Sequence, residues 1–87
     1  HKHPDTALLL VEVSDSTLSH DRGAKLVVYA RNKIPEYWLL DLKASCLDVY
    51  REPSGTTYLS RITLTVRDTV APLCDPDANI AIADLLP

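Results

Sequence analysis

Residues 8–14 read LLLVEVS, an apolar run that contains a single acid, Glu12. The run from Ala7 to Val13 is too short and too continuous for an amphipathic helix, so it predicts a buried strand. Side chains alternate along a strand, which places Glu12 and Ser14 on one face. Both faces are largely apolar, which favours a central strand covered by helices on both sides. Burying a carboxylate costs free energy unless the carboxylate is paired. Glu12 is therefore the residue most expected to have a chemical role rather than a folding role.

A helix is predicted to follow this strand. Residues 14–17, Ser-Asp-Ser-Thr, are typical of helix N-termini, and the helix is expected to run from there to about Asn32. Pro35 cannot continue it, and Asn32 tolerates the left-handed conformation of a C-terminal cap. The helix brings a second strand, Glu36–Asp41, back beside the first. A strand–helix–strand unit of this length predicts two parallel strands with a right-handed crossover.

The remaining sequence predicts a hairpin and a short C-terminal extension. The expected elements are a strand over Cys46–Arg51, a turn over Glu52–Gly55, a strand over Thr57–Leu64, a short strand over Thr69–Leu73, and an edge strand or helical turn over Ile80–Ala83. The predicted fold class is therefore α/β, a mixed sheet with a βαβ core and an antiparallel hairpin extension. No internal repeat or linker divides the chain, so residues 1–87 are expected to form a single domain.

The amino-acid composition limits the classes of protein to which the chain can belong. A chain that is 46% hydrophobic and 24% charged is globular. The net charge is −3, whereas small nucleic-acid-binding domains usually carry a basic surface. Any contact with DNA must therefore be local. No stretch is long and apolar enough to span a membrane, and two cysteines without metal spacing fit a reducing, cytoplasmic compartment. The chain has no methionine, which is interpreted as the sign of a cut N-terminus.

Five blocks of the sequence, taken together, resemble a known family. They are VEVSDST (11–17), DRGAKL (21–26), YAR (29–31), IPEYWLLDL (34–42) and LDVYREPSG (47–55). In order and spacing they look like the Uma-type family of putative restriction endonucleases, bacterial members of the PD-(D/E)XK nuclease superfamily. The resemblance extends from Leu8 to Leu86. It implies a restriction-endonuclease-like fold whose N-terminal elements are missing, so that the chain is the C-terminal part of a nuclease-like domain.

The resemblance also implies a catalytic site. The superfamily uses an aspartate on one strand, then a glutamate and a lysine two residues apart on the next strand. Glu12 matches the glutamate, whereas Ser14 stands at the usual position of the lysine, so the resemblance transfers that role to Lys25 on the following helix. The family's first aspartate belongs to an earlier strand, and Asp5 is the only acid upstream of Glu12. The implied catalytic residues are Glu12 and Lys25, and the implied metal ligands are Glu12 and Asp5.

The implied cofactor is Mg²⁺ or Mn²⁺, and the implied partner is DNA. Carboxylate oxygens suit these hard cations, and the metal supplies positive charge to the phosphate in the transition state. Lys25 is expected to face the phosphate. Tyr29, Asp21 and Ser14 are expected at the rim of the site; Asp21, Lys25 and Tyr29 recur every four residues, a spacing that places them on one face of a helix.

Simpler interpretations of the same residues stay open. Glu12 can be a buried, paired acid without catalysis, Asp21 and Lys25 a solvated helix pair, and Tyr29 half-buried packing. Trp38 is expected in the core rather than stacked on a base. His1 and His3 suggest a metal pair on paper but are more simply accidental, and His20 is more simply an exposed residue than a proton-transfer group.

Two functions therefore compete. The first is a Mg²⁺-dependent endonuclease, and the second is a non-catalytic nuclease-like module for binding or dimerisation. The acidic net charge and the missing aspartate favour the second for the chain as it stands. An uncovered sheet edge with apolar surface is expected to cause self-association, so a homo-oligomer is predicted.

Overall fold

A computed structural model describes residues 8–15 and 21–87. Its elements are β1 (Leu10–Ser14), a π-helical turn (Asp21–Lys25) that runs into α1 (Leu26–Arg31), β2 (Glu36–Asp41), β3 (Cys46–Ser54), β4 (Thr57–Thr65), β5 (Thr69–Val70), β6 (Ile80–Ala81) and α2 (Ile82–Leu85). Strands β1 to β4 form one mixed sheet in that order, and β5 pairs with β6 in a small antiparallel sheet. The predicted α/β class is confirmed.

The βαβ core and the hairpin have the predicted topology. β1 lies parallel to β2, with Glu12 opposite Leu39 and Ser14 opposite Asp41. β2, β3 and β4 are successively antiparallel. The bounds differ at the ends: Ser14 belongs to β1 rather than to a helix start, and β3 continues to Ser54, beyond the predicted end at Arg51. Residues 16–20, where the predicted helix start falls, lie outside the described residues.

Two other predicted elements are corrected. The strand predicted over Thr69–Leu73 is only the two-residue β5, which ends at Val70, and Pro72 beyond it has no N–H to donate to a longer strand pair. The segment Ile80–Ala83 was expected to be either strand or helix. It contains both, because β6 ends at Ala81 and α2 begins at Ile82.

The end of α1 corrects one residue assignment. Asn32 has φ −84°, whereas Lys33 adopts the left-handed conformation with φ 57°. The Lys33 N–H donates to the Ala30 carbonyl at 3.0 Å, and the Ile34 N–H donates to the Tyr29 carbonyl at 3.1 Å. This pair of bonds is a Schellman motif, in which the residue after the cap takes the left-handed conformation. The prediction of a left-handed Asn32 was wrong by one position.

The sheet is covered on both faces by different segments. On one face, α1 packs over a cluster that contains Tyr37, Leu39 and Tyr50. On the other face, the C-terminal segment covers Trp38, which is 2% exposed, together with Ile82. The prediction that Trp38 belongs to the core is confirmed. None of the helices within residues 8–15 and 21–87 has the length and apolar character needed to cross a membrane.

β1 is less covered than predicted. Within the described residues it is the outer strand of the sheet and pairs with β2 alone. Val11 is 50% exposed and Val13 is 58% exposed, on the face opposite α1. Among residues 8–15 and 21–87, β1 is therefore an edge strand, and the expectation of a central strand with helices on both sides is not met there. On that face Leu9 packs against the cluster that contains Trp38 and Ile82.

A buried acid anchors the C-terminal segment to the sheet. Glu36 is fully buried, and its carboxylate accepts hydrogen bonds from Trp38 Nε1 (2.7 Å), Arg51 Nε (2.8 Å) and the Leu73 N–H (2.8 Å). Arg51 in turn donates from Nη2 to the Ala71 carbonyl. These bonds compensate the desolvation of the carboxylate and fix the segment around Pro72 on the face away from α1.

Candidate functional site

Glu12 lies on the helix-covered face of β1, close to the strand's C-terminal end. Its carboxylate is held from α1 and from the π-helical turn before it. Lys25 Nζ donates to Glu12 Oε2 at 2.8 Å, and the Tyr29 hydroxyl donates to Glu12 Oε1 at 2.8 Å. The Glu12 side chain is 27% exposed, so the pair lies at the protein surface rather than inside the core. Glu12 is therefore an acid paired with the ammonium of Lys25.

The helix brings Lys25 and Tyr29 to the same acid because they are four residues apart and so share one face. Tyr29 is also fixed by its ring, which meets Tyr37 edge-on with centroids 5.0 Å apart. Tyr37 in turn stacks on Tyr50 at 5.4 Å. This buried aromatic series gives the Tyr29 hydroxyl a set position and leaves the longer Lys25 side chain, 44% exposed, as the adaptable partner.

The surroundings of Glu12 favour its ionised form. The hydrogen bond from Lys25 lowers the pKa of Glu12 below its ordinary value of 4.5, although partial burial opposes this. The hydrogen bond from Tyr29 and the charge of Lys25 lower the pKa further. Glu12 is therefore a carboxylate at neutral pH, with an ammonium and a hydroxyl beside it. Such a set can hold a cation, orient a polar substrate or stabilise developing negative charge.

The remaining predicted site residues have different outcomes. Ser14 shares the face of Glu12, is 5% exposed, and its hydroxyl has no hydrogen-bond partner among the residues that the structure describes. Asp21 begins the π-helical turn, and its side chain is outside those that the structure describes. Asp5 lies outside the described residues, as do His1, His3 and His20. The roles assigned to all of these residues stay predictions.

Two acids on the same face of the sheet were not singled out from the sequence. Asp41 ends β2 directly opposite Ser14 and is 5% exposed. Asp48 of β3 is fully buried, accepts a hydrogen bond from Thr63 Oγ1 at 2.7 Å and lies 3.5 Å from Arg61 Nη2. The signal was strand alternation: Asp41 follows Tyr37 and Leu39 at every second position, which is the periodicity of a core face.

A divalent metal needs several oxygen ligands, and the described residues alone do not supply an acid cluster for one. No group of three or more His, Cys, Asp or Glu side chains in residues 8–15 and 21–87 is arranged to hold a metal ion. Glu12 has suitable chemistry for one ligand because it is ionised and partly exposed.

Comparison with protein families places the chain beside known proteins. The family model Uma2, described as "Putative restriction endonuclease", matches residues 1–83 of the 87-residue chain. No curated protein sequence matches the chain. The matched region includes every element from β1 to β6, the start of α2 and all the site residues described above.

Proposed function

Because the chain belongs to the Uma2 family of putative restriction endonucleases, we propose that it serves the hydrolysis of phosphodiester bonds in DNA, with Glu12 and Lys25 as its catalytic residues. The observation that carries this proposal is the 2.8 Å contact between Lys25 Nζ and the Glu12 carboxylate. We further propose that the β1–α1–β2 unit and the β3–β4 hairpin belong to a restriction-endonuclease-like fold. Family membership supports that assignment, as does the parallel pairing of β1 with β2.

The two residues suit different parts of the reaction. Phosphodiester hydrolysis builds negative charge on the phosphate, and a nearby ammonium stabilises that charge. Lys25 is partly exposed and adaptable, so its ammonium can turn from Glu12 towards a phosphate oxygen. Glu12 can then accept a proton from, or orient, the attacking water. Tyr29 keeps the carboxylate in place through its hydroxyl when Lys25 turns away.

Mg²⁺ or Mn²⁺ is the proposed cofactor, and Glu12 is its proposed ligand, together with Asp5 outside the described residues. When bound, such an ion supplies positive charge at the phosphate. DNA binding does not require the whole protein to carry a net positive charge. The net charge is −3, but Lys25, Lys43 and Arg67 are positive groups on segments near the carboxyl ends of β1, β2 and β4, where ligands of open α/β sheets bind.

A plasmid-nicking assay tests the proposal. The protein that carries this sequence is incubated with supercoiled DNA and Mg²⁺ or Mn²⁺, and conversion to the nicked form is measured. We expect cleavage by the wild type, loss of cleavage by Glu12→Gln, and normal cleavage by Glu52→Gln, which changes an exposed glutamate of β3 in the same way. Absence of cleavage by the wild type, with DNA binding retained, would favour the non-catalytic binding module instead.

A further inference from the structure

Two fully buried acids of the sheet are paired with arginines in different ways. The Arg51 side chain is 25% exposed, and it donates hydrogen bonds to Glu36 and to the Ala71 carbonyl, each at 2.8 Å. The Arg61 side chain is 49% exposed, and its Nη2 lies 3.5 Å from Asp48 Oδ2. Among the residues that the structure describes, the Arg61 guanidinium has no hydrogen-bond acceptor. Arg51 is therefore bonded within the fold, whereas Arg61 keeps its N–H donors for another partner.

The Arg61 guanidinium is held in place although half of the side chain is exposed. Its Cζ lies 5.9 Å from the centroid of the Tyr50 ring, a cation–π contact. Tyr50 is 4% exposed and stacks on Tyr37. Asp48 is fixed in turn by the Thr63 hydroxyl, which donates to its Oδ1 at 2.7 Å. A buried ring and a buried carboxylate therefore position the guanidinium in advance, which reduces the entropy cost of binding a ligand.

Arg61 leaves the sheet on the same face as Glu12. Glu12 of β1 lies opposite Leu39 of β2, and Leu39 lies opposite Asp48 of β3. Tyr50, two residues further along β3, lies opposite Arg61 of β4 and so shares that face. Neighbouring strands are about 4.8 Å apart, so three spacings place Arg61 about 14 Å from Glu12 across the sheet. Base pairs follow one another every 3.4 Å or so along DNA, so this distance corresponds to about four of them.

We propose that Arg61 binds a backbone phosphate of DNA, a few nucleotides away from the bond that is cut. The planar fork of an arginine matches two phosphate oxygens, and a guanidinium with free donors and a fixed position suits such a contact. The inference rests on the proposed function for the identity of the ligand. It assigns Arg61 to the binding and positioning of DNA and not to the chemistry. It also provides a local positive group in a chain whose net charge is −3.

The test replaces both members of the pair, because Arg61→Met alone leaves a buried carboxylate without its cation. Asp48→Asn/Arg61→Met removes one negative and one positive charge, so the net charge stays at −3. The amide oxygen still accepts from the Thr63 hydroxyl. The matched control is Asp48→Asn/Arg31→Met, which makes the same charge changes but removes an exposed arginine at the end of α1. Thermal unfolding of both double variants verifies that they are folded.

Binding of a short DNA duplex is measured by fluorescence anisotropy at several salt concentrations, without divalent ions so that the DNA stays intact. Each phosphate contact contributes about 0.9 to the slope of log affinity against log salt concentration. We expect Asp48→Asn/Arg61→Met to bind several-fold more weakly than the wild type, with a slope smaller by about 0.9. The control Asp48→Asn/Arg31→Met should match the wild type in affinity and slope.

Arg61→Lys gives a second readout that a partner needed only to neutralise Asp48 would not change. Lysine keeps the positive charge but lacks the planar fork, so we expect weaker DNA binding with an unchanged salt slope. Equal affinity and slope in the wild type and Asp48→Asn/Arg61→Met overturns the inference, as does a wild type that does not bind DNA. Plasmid nicking is scored separately. A protein that shows these binding differences but does not cut DNA contradicts only the proposed function.

Discussion

Lys25 Nζ lies 2.8 Å from Glu12 Oε2, although the two residues are separated by 13 positions and belong to different elements. The βαβ crossover creates this contact, because it lays the helix face that carries Lys25 across the face of β1 that carries Glu12. The contact compensates an acid in an otherwise apolar strand. It also gives the protein a carboxylate and an ammonium at the carboxyl end of a parallel strand pair, where open α/β sheets bind ligands.

The pair predicts a pH dependence of stability. The hydrogen bond from Lys25, with that from Tyr29, lowers the pKa of Glu12 in the folded protein below the ordinary value of 4.5. The stabilisation is therefore present above that pH and is lost as pH falls through the folded pKa. We expect the wild type to be more stable than Glu12→Gln at neutral pH in urea unfolding, with the difference narrowing below pH 4.5. A difference that does not change with pH would show that the pairing contributes nothing.

Tyr29→Phe separates positioning from packing. The variant keeps the ring contact with Tyr37 but loses the 2.8 Å bond to Glu12. We expect a loss of about 1 kcal/mol in unfolding free energy and about a tenfold slower DNA cleavage, because the carboxylate is less well oriented.

Tyr58→Phe is the control for that variant. The Tyr58 hydroxyl donates to the Ile34 carbonyl at 2.7 Å, away from Glu12, and burial raises the pKa of Tyr58 to about 12. This substitution should lower stability by about 1–3 kcal/mol, because it leaves a buried carbonyl without its donor, and it should leave cleavage unchanged. Equal cleavage by both phenylalanine variants would contradict a role for the Tyr29 hydroxyl.

Glu36 and Arg51 predict a large effect on stability without a direct effect on chemistry. Glu36→Gln leaves the Arg51 guanidinium, 25% exposed, without its counter-charge. Loss of one member of a buried pair is strongly destabilising, and we expect about 3 kcal/mol in urea unfolding. Glu52→Gln, at an exposed position on the same hairpin, should change stability by less than about 0.5 kcal/mol. Similar losses in the two variants would refute an anchoring role for Glu36.

The exposed valines of β1 predict self-association. Val11 and Val13 are 50% and 58% exposed on a strand that pairs only with β2 within the described residues. Such strands invite pairing with another chain, and a charged side chain on them opposes it. We expect sedimentation to show a dimer or larger assembly in the wild type and more monomer in Val13→Lys. Val28→Lys, at a position 49% exposed on α1, should sediment like the wild type. A monomeric wild type would contradict the prediction.

The sequence predicted the βαβ unit and the hairpin well because their signals are local. Apolar runs, Pro35 and the turn at Gly55 mark where elements begin and end. Features that depend on pairing were harder to predict. Glu36 looks like the polar start of a strand until Arg51 is placed opposite it, and the exposure of Val13 depends on which segment covers β1.

The same difference between local signals and strand pairing applies to the residues of the candidate site. Glu12 was identified because an acid in an apolar strand is unusual, and Lys25 and Tyr29 because four-residue spacing places them on one helix face. Asp41 was missed because an acid at a strand end, next to a turn, is usually a solvated residue. Only the register of β1 with β2 places it beside Ser14.

The most direct test of the central claim is a double-mutant cycle on single-turnover DNA cleavage, with Glu12→Gln, Lys25→Met and the double variant. Residues that act as one catalytic unit give non-additive losses. We predict that each single change slows cleavage by at least about 100-fold and that the double variant is no slower than the slower single variant. The control Lys33→Met, at an exposed lysine just after α1, should cleave normally. Cleavage that survives both single changes, or losses that multiply in the double variant, would contradict a catalytic centre formed by Glu12 and Lys25.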